Sequence, residues 1–187
     1  MPSLQAGAAQ VDITPGLGAH LLGYFTDRQA LDILDPLHAK AIALSNGDTT
    51  LGVVICDLIV VPESVVNAAK SIITQRAGIP PENILIAGTH THTGPATSGA
   101  LGTPAEEGYC DWIIPRIADS FLLALEHRQP AQLAHGAGAC PGEVHNRRWR
   151  MKDGSVRMNP GHLNPEAVEP AGRTDPQLGL LVLRSPE

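Results

Sequence analysis

The chain has 187 residues, of which 43% are hydrophobic, so it is long enough to bury a sizeable core and is most simply one domain over residues 1–187. Only 3% of its residues are aromatic, so its packing must rely on Ala, Val, Ile and Leu. A net charge of -6 without a basic run argues against a nucleic-acid partner.

The N-terminal residues and the cysteines bear on localisation. Residues 1–7 contain neither the basic segment nor the apolar core of a signal peptide, and no apolar run approaches transmembrane length. Cys56, Cys110 and Cys140 are odd in number and widely spaced, which is typical of buried thiols in a reducing compartment. The sequence therefore predicts a soluble, cytoplasmic protein.

The first predicted strands form an antiparallel hairpin. A short strand over residues 8–13 precedes a loop over residues 18–35. Residues 38–44 then alternate weakly between polar and apolar side chains, which indicates a strand. They meet the strand over residues 51–61 across Asn46-Gly47, a strong signal for a tight turn. Residues 51–61 are nearly all apolar and rich in β-branched side chains, as a strand buried on both faces requires.

A helix and a second buried strand follow the hairpin. Apolar residues recur at helical spacing from Val65 to Ala77, and Gly78 is a typical stop. The apolar run Ile84 to Ala87 comes next. Strand, helix and strand make a right-handed βαβ unit with parallel strands. The predicted fold class is therefore α/β, with a mixed sheet that contains a central parallel βαβ unit and an antiparallel hairpin.

The second half of the sequence is less regular. Thr103, with Pro104 after it and Glu106 three residues on, has the chemistry of a capping box and predicts a helix that Pro115 should kink or split. Residues 141–174 are rich in Gly, Pro, Asn and Arg and show no convincing periodicity, which predicts a long irregular loop or lid. Residues 178–183 then predict a final buried strand.

Two histidines follow directly after the predicted strand Ile84 to Ala87. If that strand continues, His90 and His92 share one face, because successive side chains of a strand alternate. In parallel sheets, ligands bind beyond the carboxyl ends of the strands, where these two side chains would emerge. The pair can contribute to a metal site or divide into one ligand and one proton handler; the alternative is a hydrogen-bonded structural pair.

Other polar residues have weaker claims to a functional role. Asp57, at the end of a buried strand, is in a position to accept a hydrogen bond from a ring nitrogen of His90 and so orient the ring. The alternative is that Asp57 caps the turn into the following helix. His135, His145 or His162 could complete a metal site, but we expect each of them to be a surface or loop histidine.

Six stretches of the sequence occur in the order found in one known family. They are residues 8–15, 22–24, 35–44, 89–95, 145–147 and 174–183. Together they resemble the N-terminal catalytic domain of the neutral/alkaline non-lysosomal ceramidases. The specific motif is Thr89-His-Thr-His-Thr-Gly-Pro95, whereas the other five stretches are weak when taken singly.

The resemblance implies a zinc-dependent amidase that cleaves the N-acyl bond of sphingoid lipids such as N-acyl sphingosine. His90 matches a Zn2+ ligand of the family, His92 matches a histidine that polarises the substrate carbonyl, and Arg147 matches an arginine that assists at the same oxygen. Zinc lowers the pKa of a bound water to about 7, and a fixed imidazole and guanidinium stabilise an oxyanion. We expect residues 141–174 to fold over the crevice so that Arg147 reaches the histidines.

The sequence also departs from the family pattern. Thr93 stands where the family has a serine, and the resemblance expects a second zinc histidine after the final strand, with a glutamate and a tyrosine further on. We therefore expect the chain to be a fragment of a longer protein that binds zinc weakly by itself. A same-family metal hydrolase with a non-lipid substrate and a non-catalytic binding module both stay open. The sequence does not define the substrate, the remaining zinc ligands or the oligomeric state.

Overall fold

The computed structural model describes residues 4–186, which divide into two compact units. The first unit runs through Gln132 and resumes at Arg184, and the second is Leu133–Leu183. The single domain expected over residues 1–187 stays a prediction.

A five-stranded mixed sheet forms the centre of the first unit. Its strands are β1 (Gln5–Asp12), β2 (His38–Ser45), β3 (Thr50–Cys56), β4 (Ile84–Gly88) and β5 (Gln129–Pro130). Their order across the sheet is β4-β3-β2-β1-β5. Strands β3 and β4 are parallel, whereas β1, β2 and β3 pair in antiparallel fashion. The mixed α/β fold is confirmed, although the parallel pair lies at the edge of the sheet and not at its centre.

The predicted hairpin between β2 and β3 is confirmed. Ser45 pairs with Thr50, so residues 46–49 form its loop. The Asn46 side-chain oxygen accepts a hydrogen bond from the backbone N–H of Thr49 at 2.8 Å, and Gly47 has a φ of 93°. Glycine is suited to that position because it adopts a positive φ without a steric penalty.

The helix between the two parallel strands also matches the prediction. Helix α1 (Glu63–Ala77) buries Val65, Ala69 and Ile73, which lie at helical spacing. It ends at Gly78, whose φ of 69° is left-handed and whose N–H donates to Thr74. This is the αL cap that a glycine at the end of an apolar pattern indicates.

The second helix begins later than predicted. Helix α2 (Tyr109–Glu126) starts after Gly108 and continues through Pro115, so the proline does not split it. The predicted start at Thr103 is wrong because Thr103 exchanges two backbone hydrogen bonds with Ala100, and the Glu106 carboxylate accepts from the distant His20 N–H. Among residues 4–186, no helix has the combined length and apolar character that crossing a bilayer requires.

Two strand glycines allow α2 to lie close to the sheet. A Cβ on Gly52 of β3 would stand 2.4 Å from the Phe121 ring, and one on Gly7 of β1 would stand 2.0 Å from the backbone oxygen of Ala124. Phe121 is fully buried and is the largest such side chain. The Phe121 ring thus fills the space that a side chain at position 52 would otherwise occupy.

The second unit contains short antiparallel sheets. Strands β6 (Gln132–Ala139) and β10 (Gln177–Arg184) form a two-stranded sheet. Strands β7 (Arg148–Met151), β8 (Val156–Met158) and β9 (Ala167–Pro170) form a three-stranded sheet in the order β8-β7-β9.

Two expectations for this part of the chain are corrected. Residues 141–174 are not uniformly irregular, because β7, β8 and β9 lie within them; strands of three or four residues are too short to show periodicity. The final strand is present, but it is not buried: it pairs with β6, and Leu178 and Leu180 are each about half exposed.

Candidate active site

His90 and His92 lie just beyond the carboxyl end of β4, in the first unit. The ladder extends past the end of β4, because Thr89 N donates to Cys56 O and His90 N donates to Leu58 O, both at 2.9 Å. His90 then adopts a left-handed conformation with a φ of 64°. Such a φ is uncommon for a residue other than glycine and costs about 1–3 kcal/mol, and backbone strain of this kind clusters at active sites and ligand clamps.

The two imidazole rings are neighbours. Their centroids lie 5.0 Å apart and their planes meet at 74°, an edge-to-face arrangement. Both side chains are exposed. The rings therefore lie together, as expected, but for a different reason: the chain turns at His90, so strand alternation does not place them. Their roles in metal binding and carbonyl polarisation stay predictions.

A backbone carbonyl orients the His90 ring. The Nδ1 atom of His90 lies 2.8 Å from the carbonyl oxygen of Ile59. A carbonyl oxygen only accepts, so Nδ1 is the donor and, in the neutral ring, Nε2 keeps its lone pair. Metal-binding histidines commonly donate their other N–H to a carbonyl or a carboxylate in this way. His90 is thus oriented to offer Nε2 to a metal ion or a proton.

Asp57 contacts β2 instead of His90. Its Oδ2 atom accepts hydrogen bonds from the His38 backbone N–H and from Lys40 Nζ, each at 3.0 Å. These contacts tie the end of β3 to the start of β2. Asp57 therefore does not support the His90 ring as predicted, because the Ile59 carbonyl does so. It does not cap α1 either, because Pro62 is the N-cap residue and no side chain caps this helix.

Three residues of the loop between β1 and β2 surround His92. Gly23 has a φ of 126°, and a Cβ at this position would lie 2.6 Å from Cγ of His92. The Tyr24 ring meets the His92 ring edge-on, with 6.0 Å between centroids. Arg28 donates from Nη2 to the carbonyl oxygen of His92 at 2.7 Å, and its Cζ lies 3.8 Å from the centroid of the Tyr24 ring.

Part of this cluster lies in a motif that the sequence analysis singled out. Gly23 and Tyr24 belong to one of the weak motifs, but nothing placed them beside His92. Arg28 was missed entirely, because a single arginine in a loop has no distinguishing sequence signal. The structure explains the contact: Leu21 forms a bridge with Pro95, which brings the early loop against the segment that follows β4.

A cleft of about 530 Å³ lies next to the histidine segment. Thr91 and Thr93, which alternate with the histidines, line it together with Lys40 and Asp57. The remaining lining is largely aliphatic and comprises Leu21, Leu31, Ile33, Leu34 and Leu37, among others. Its volume falls in the range of small-molecule sites, about 300–1,000 Å³.

Arg147 belongs to the second unit. It is exposed in the loop before β7, where its carbonyl oxygen accepts from Asn159 N at 2.7 Å. The expected approach of its guanidinium to the histidines stays a prediction. The other candidate histidines, His135, His145 and His162, are exposed residues of the same unit.

The described residues do not by themselves complete a zinc site. Within residues 4–186, no group of three or more His, Cys, Asp or Glu side chains is arranged to hold a metal ion. Catalytic zinc uses about three protein ligands. His90 has the ring orientation that one such ligand needs.

Comparison with known proteins defines the fold. No protein-family model matches the chain, and no curated protein matches it. A neutral ceramidase from Pseudomonas aeruginosa shares its fold, with a TM-score of 0.73 and 22% identity over 99% of this chain and 30% of that chain. A ceramidase complexed with C2 gives a TM-score of 0.71 and 23% identity, over 99% and 29% of the two chains.

The fold is therefore one that ceramidases contain in part of their length. The chain spans about 30% of the Pseudomonas aeruginosa neutral ceramidase. At this level of identity, the likeness shows the fold alone.

Proposed function

We propose that the chain is the histidine-bearing part of a ceramidase-like hydrolase that cleaves an N-acyl amide bond. The main support is the pair His90 and His92, whose rings lie 5.0 Å apart beyond the end of β4. The fold shared with two ceramidases is a second, coarser support.

In this proposal, His90 supplies one ligand to Zn2+ through Nε2. The Ile59 carbonyl fixes the ring so that this nitrogen is free. Bound there, Zn2+ would supply a water of lowered pKa and a Lewis acid for the substrate carbonyl. Because the described residues contain no complete ligand set, this part of the proposal requires further ligands from outside them.

His92 is proposed to donate a hydrogen bond to the oxygen of the scissile carbonyl as negative charge develops there. A preorganised donor lowers the barrier because it does not have to reorient during the reaction. The contacts with Gly23, Tyr24 and Arg28 restrict this ring and its backbone. Arg147 is proposed as a second donor at the same oxygen, where a guanidinium stays charged at any working pH.

The proposed substrate class is an amide with an aliphatic chain, such as N-acyl sphingosine. The cleft beside Thr91 and Thr93 supports this choice, since its lining is largely aliphatic and would bury a hydrocarbon chain. The ion pair between Lys40 and Asp57 adds one polar position to the same cleft.

The test is hydrolysis of N-acyl sphingosine and of a short N-acyl amide by the longest natural form of the protein. We expect the long-chain substrate to be preferred and His92→Ala to lower kcat by about 10²–10³-fold, the usual cost of losing one oxyanion donor. The matched control is His127→Ala, an exposed histidine at the end of α2.

Other outcomes separate the alternatives. A preference for the short amide, with the same loss in His92→Ala, would indicate a hydrolase with a non-lipid substrate. Absence of turnover on both, with zinc present, would contradict the proposed function and favour a binding module.

A further inference from the structure

Arg28 makes two contacts that converge on His92. Its Nη2 atom donates to the His92 carbonyl oxygen at 2.7 Å, and its guanidinium lies over the Tyr24 ring at 3.8 Å. The Tyr24 and His92 rings in turn lie edge to face, with 6.0 Å between their centroids. We propose that Arg28 is a positioning residue that holds His92 in place through the backbone oxygen of His92 and through Tyr24.

The site needs such a device because His92 has little local support. His92 and Thr93 form a turn, and the side chain of His92 is exposed. The bond from Arg28 spans 64 residues of sequence and joins the loop after β1 to the loop after β4. A hydrogen bond from a charged donor is stronger than one between neutral groups, so this contact limits the movement of the turn.

A second observation separates Arg28 from an ordinary surface arginine. Its Nε atom is buried and has no hydrogen-bond partner among the described residues. Burying a guanidinium N–H without a partner is unfavourable. The guanidinium is therefore placed where it serves Tyr24 and His92 at the expense of its own hydrogen bonding.

The geometry requires arginine specifically. A planar guanidinium stacks on an aromatic ring with its face while an N–H in its plane donates to a carbonyl. A lysine ammonium is a compact, strongly hydrated charge on a flexible stem and lacks this fixed planar geometry. We therefore expect Arg28→Lys to behave like Arg28→Ala at His92, and guanidinium ion added to Arg28→Ala to restore part of the wild-type behaviour.

The chain offers a matched control in Arg116. Its Cζ also lies 3.8 Å over an aromatic ring, that of Trp112, and its Nη1 donates to the Trp112 carbonyl oxygen at 3.2 Å. Arg28 and Arg116 are both half-buried. Arg116→Ala therefore removes the same two kinds of interaction, but from Trp112 on α2 and not from Tyr24 and His92.

The direct experiment is NMR of the 187-residue chain with labelled histidine rings at one fixed pH. Arg28→Ala should shift and broaden the ring signals of His92 and leave those of His127 unchanged, whereas Arg116→Ala should leave His92 unchanged. A folded Arg28→Ala whose His92 signals equal those of the wild type would overturn the proposal. If Arg28→Ala does not fold, Arg28→Lys takes its place with the same two outcomes.

The kinetic experiment rests on the proposed function, so its result is interpreted separately from that of the NMR experiment. In an active form of the protein, Arg28→Ala should lower kcat by about 10–100-fold with little change in KM, because a misplaced catalytic group loses rate more than binding. A response of the His92 signals without turnover of any amide would leave the positioning role standing and would count against the proposed function. Unchanged kcat in Arg28→Ala of an active form would contradict the positioning role.

Discussion

The Nδ1 atom of His90 lies 2.8 Å from the carbonyl oxygen of Ile59, a residue just beyond β3. This contact fixes which ring nitrogen has the proton and which has the lone pair. It also explains the strained backbone of His90, since a φ of 64° is retained where surrounding bonds hold it. The ring orientation is thus set by the backbone just beyond the neighbouring parallel strand and not by a carboxylate.

Gly23→Ala should disturb His92 directly. The added Cβ would lie 2.6 Å from Cγ of His92, and a φ of 126° is unfavourable for alanine. We expect a loss of about 1–3 kcal/mol in the free energy of unfolding, together with altered His92 ring signals. Urea denaturation and NMR measure the two effects. Gly16→Ala is the control in the same loop, because no atom lies within 4 Å of its added Cβ. Equal free energies of unfolding and equal His92 ring signals in the two variants would show that position 23 does not constrain His92.

Stability should fall at alkaline pH, in part because of Cys56. Burial raises the pKa of the Cys56 thiol from 9.0 to about 12, with Asp57 adding a smaller effect in the same direction. The unfolded chain therefore loses this proton first, and the free energy of unfolding decreases as pH rises from about 9 to 12. Burial also raises the pKa of Tyr109, which adds to the decrease.

The contribution of Cys56 can be isolated by substitution. Cys56→Ala should flatten the decline between pH 9 and 12, as measured by urea denaturation at several pH values. Cys140→Ser is the control, because Cys140 is exposed. An unchanged slope in Cys56→Ala would contradict the buried thiol.

Leu31→Asp should test the cleft as the site of an aliphatic chain. Leu31 lines the cleft and is 89% exposed, so the substitution should change the free energy of unfolding little. We expect KM for a long-chain amide to rise about tenfold, since two buried methylenes at about 0.8 kcal/mol each correspond to a factor of that order, and KM for a short amide to stay the same. Leu17→Asp is the control, since Leu17 is an exposed residue of the same loop that does not line this cleft. A parallel rise of KM for both amides would indicate that the aliphatic chain of the substrate binds outside this cleft.

Local chemistry made part of the fold predictable. The Asn46-Gly47 turn and the Gly78 cap depend on backbone conformations that their own residues favour, so the hairpin and α1 follow from the sequence. The start of α2 does not, because the Glu106 carboxylate binds the distant His20 N–H and is not available to cap a helix at Thr103. Strands β7 to β9 are too short to produce a pattern.

The candidate site shows the same limit. The spacing of His90 and His92 indicated a shared site, but the turn that brings their rings together depends on backbone oxygens of Leu58 and Ile59. Arg28 contacts His92 across 64 residues of sequence, and no local pattern encodes such a contact. Long-range pairing of this kind is visible only once the strands are in register.

The most direct test of the central claim is zinc content measured alongside amide hydrolysis in the longest natural form of the protein, for His90→Ala, His92→Ala and the control His127→Ala. His90→Ala removes a proposed ligand and should abolish both zinc retention and hydrolysis. His92→Ala should keep the metal and lose mainly rate. Equal loss of zinc in both would make His92 a ligand as well, and full activity without His90 would contradict the zinc-hydrolase account.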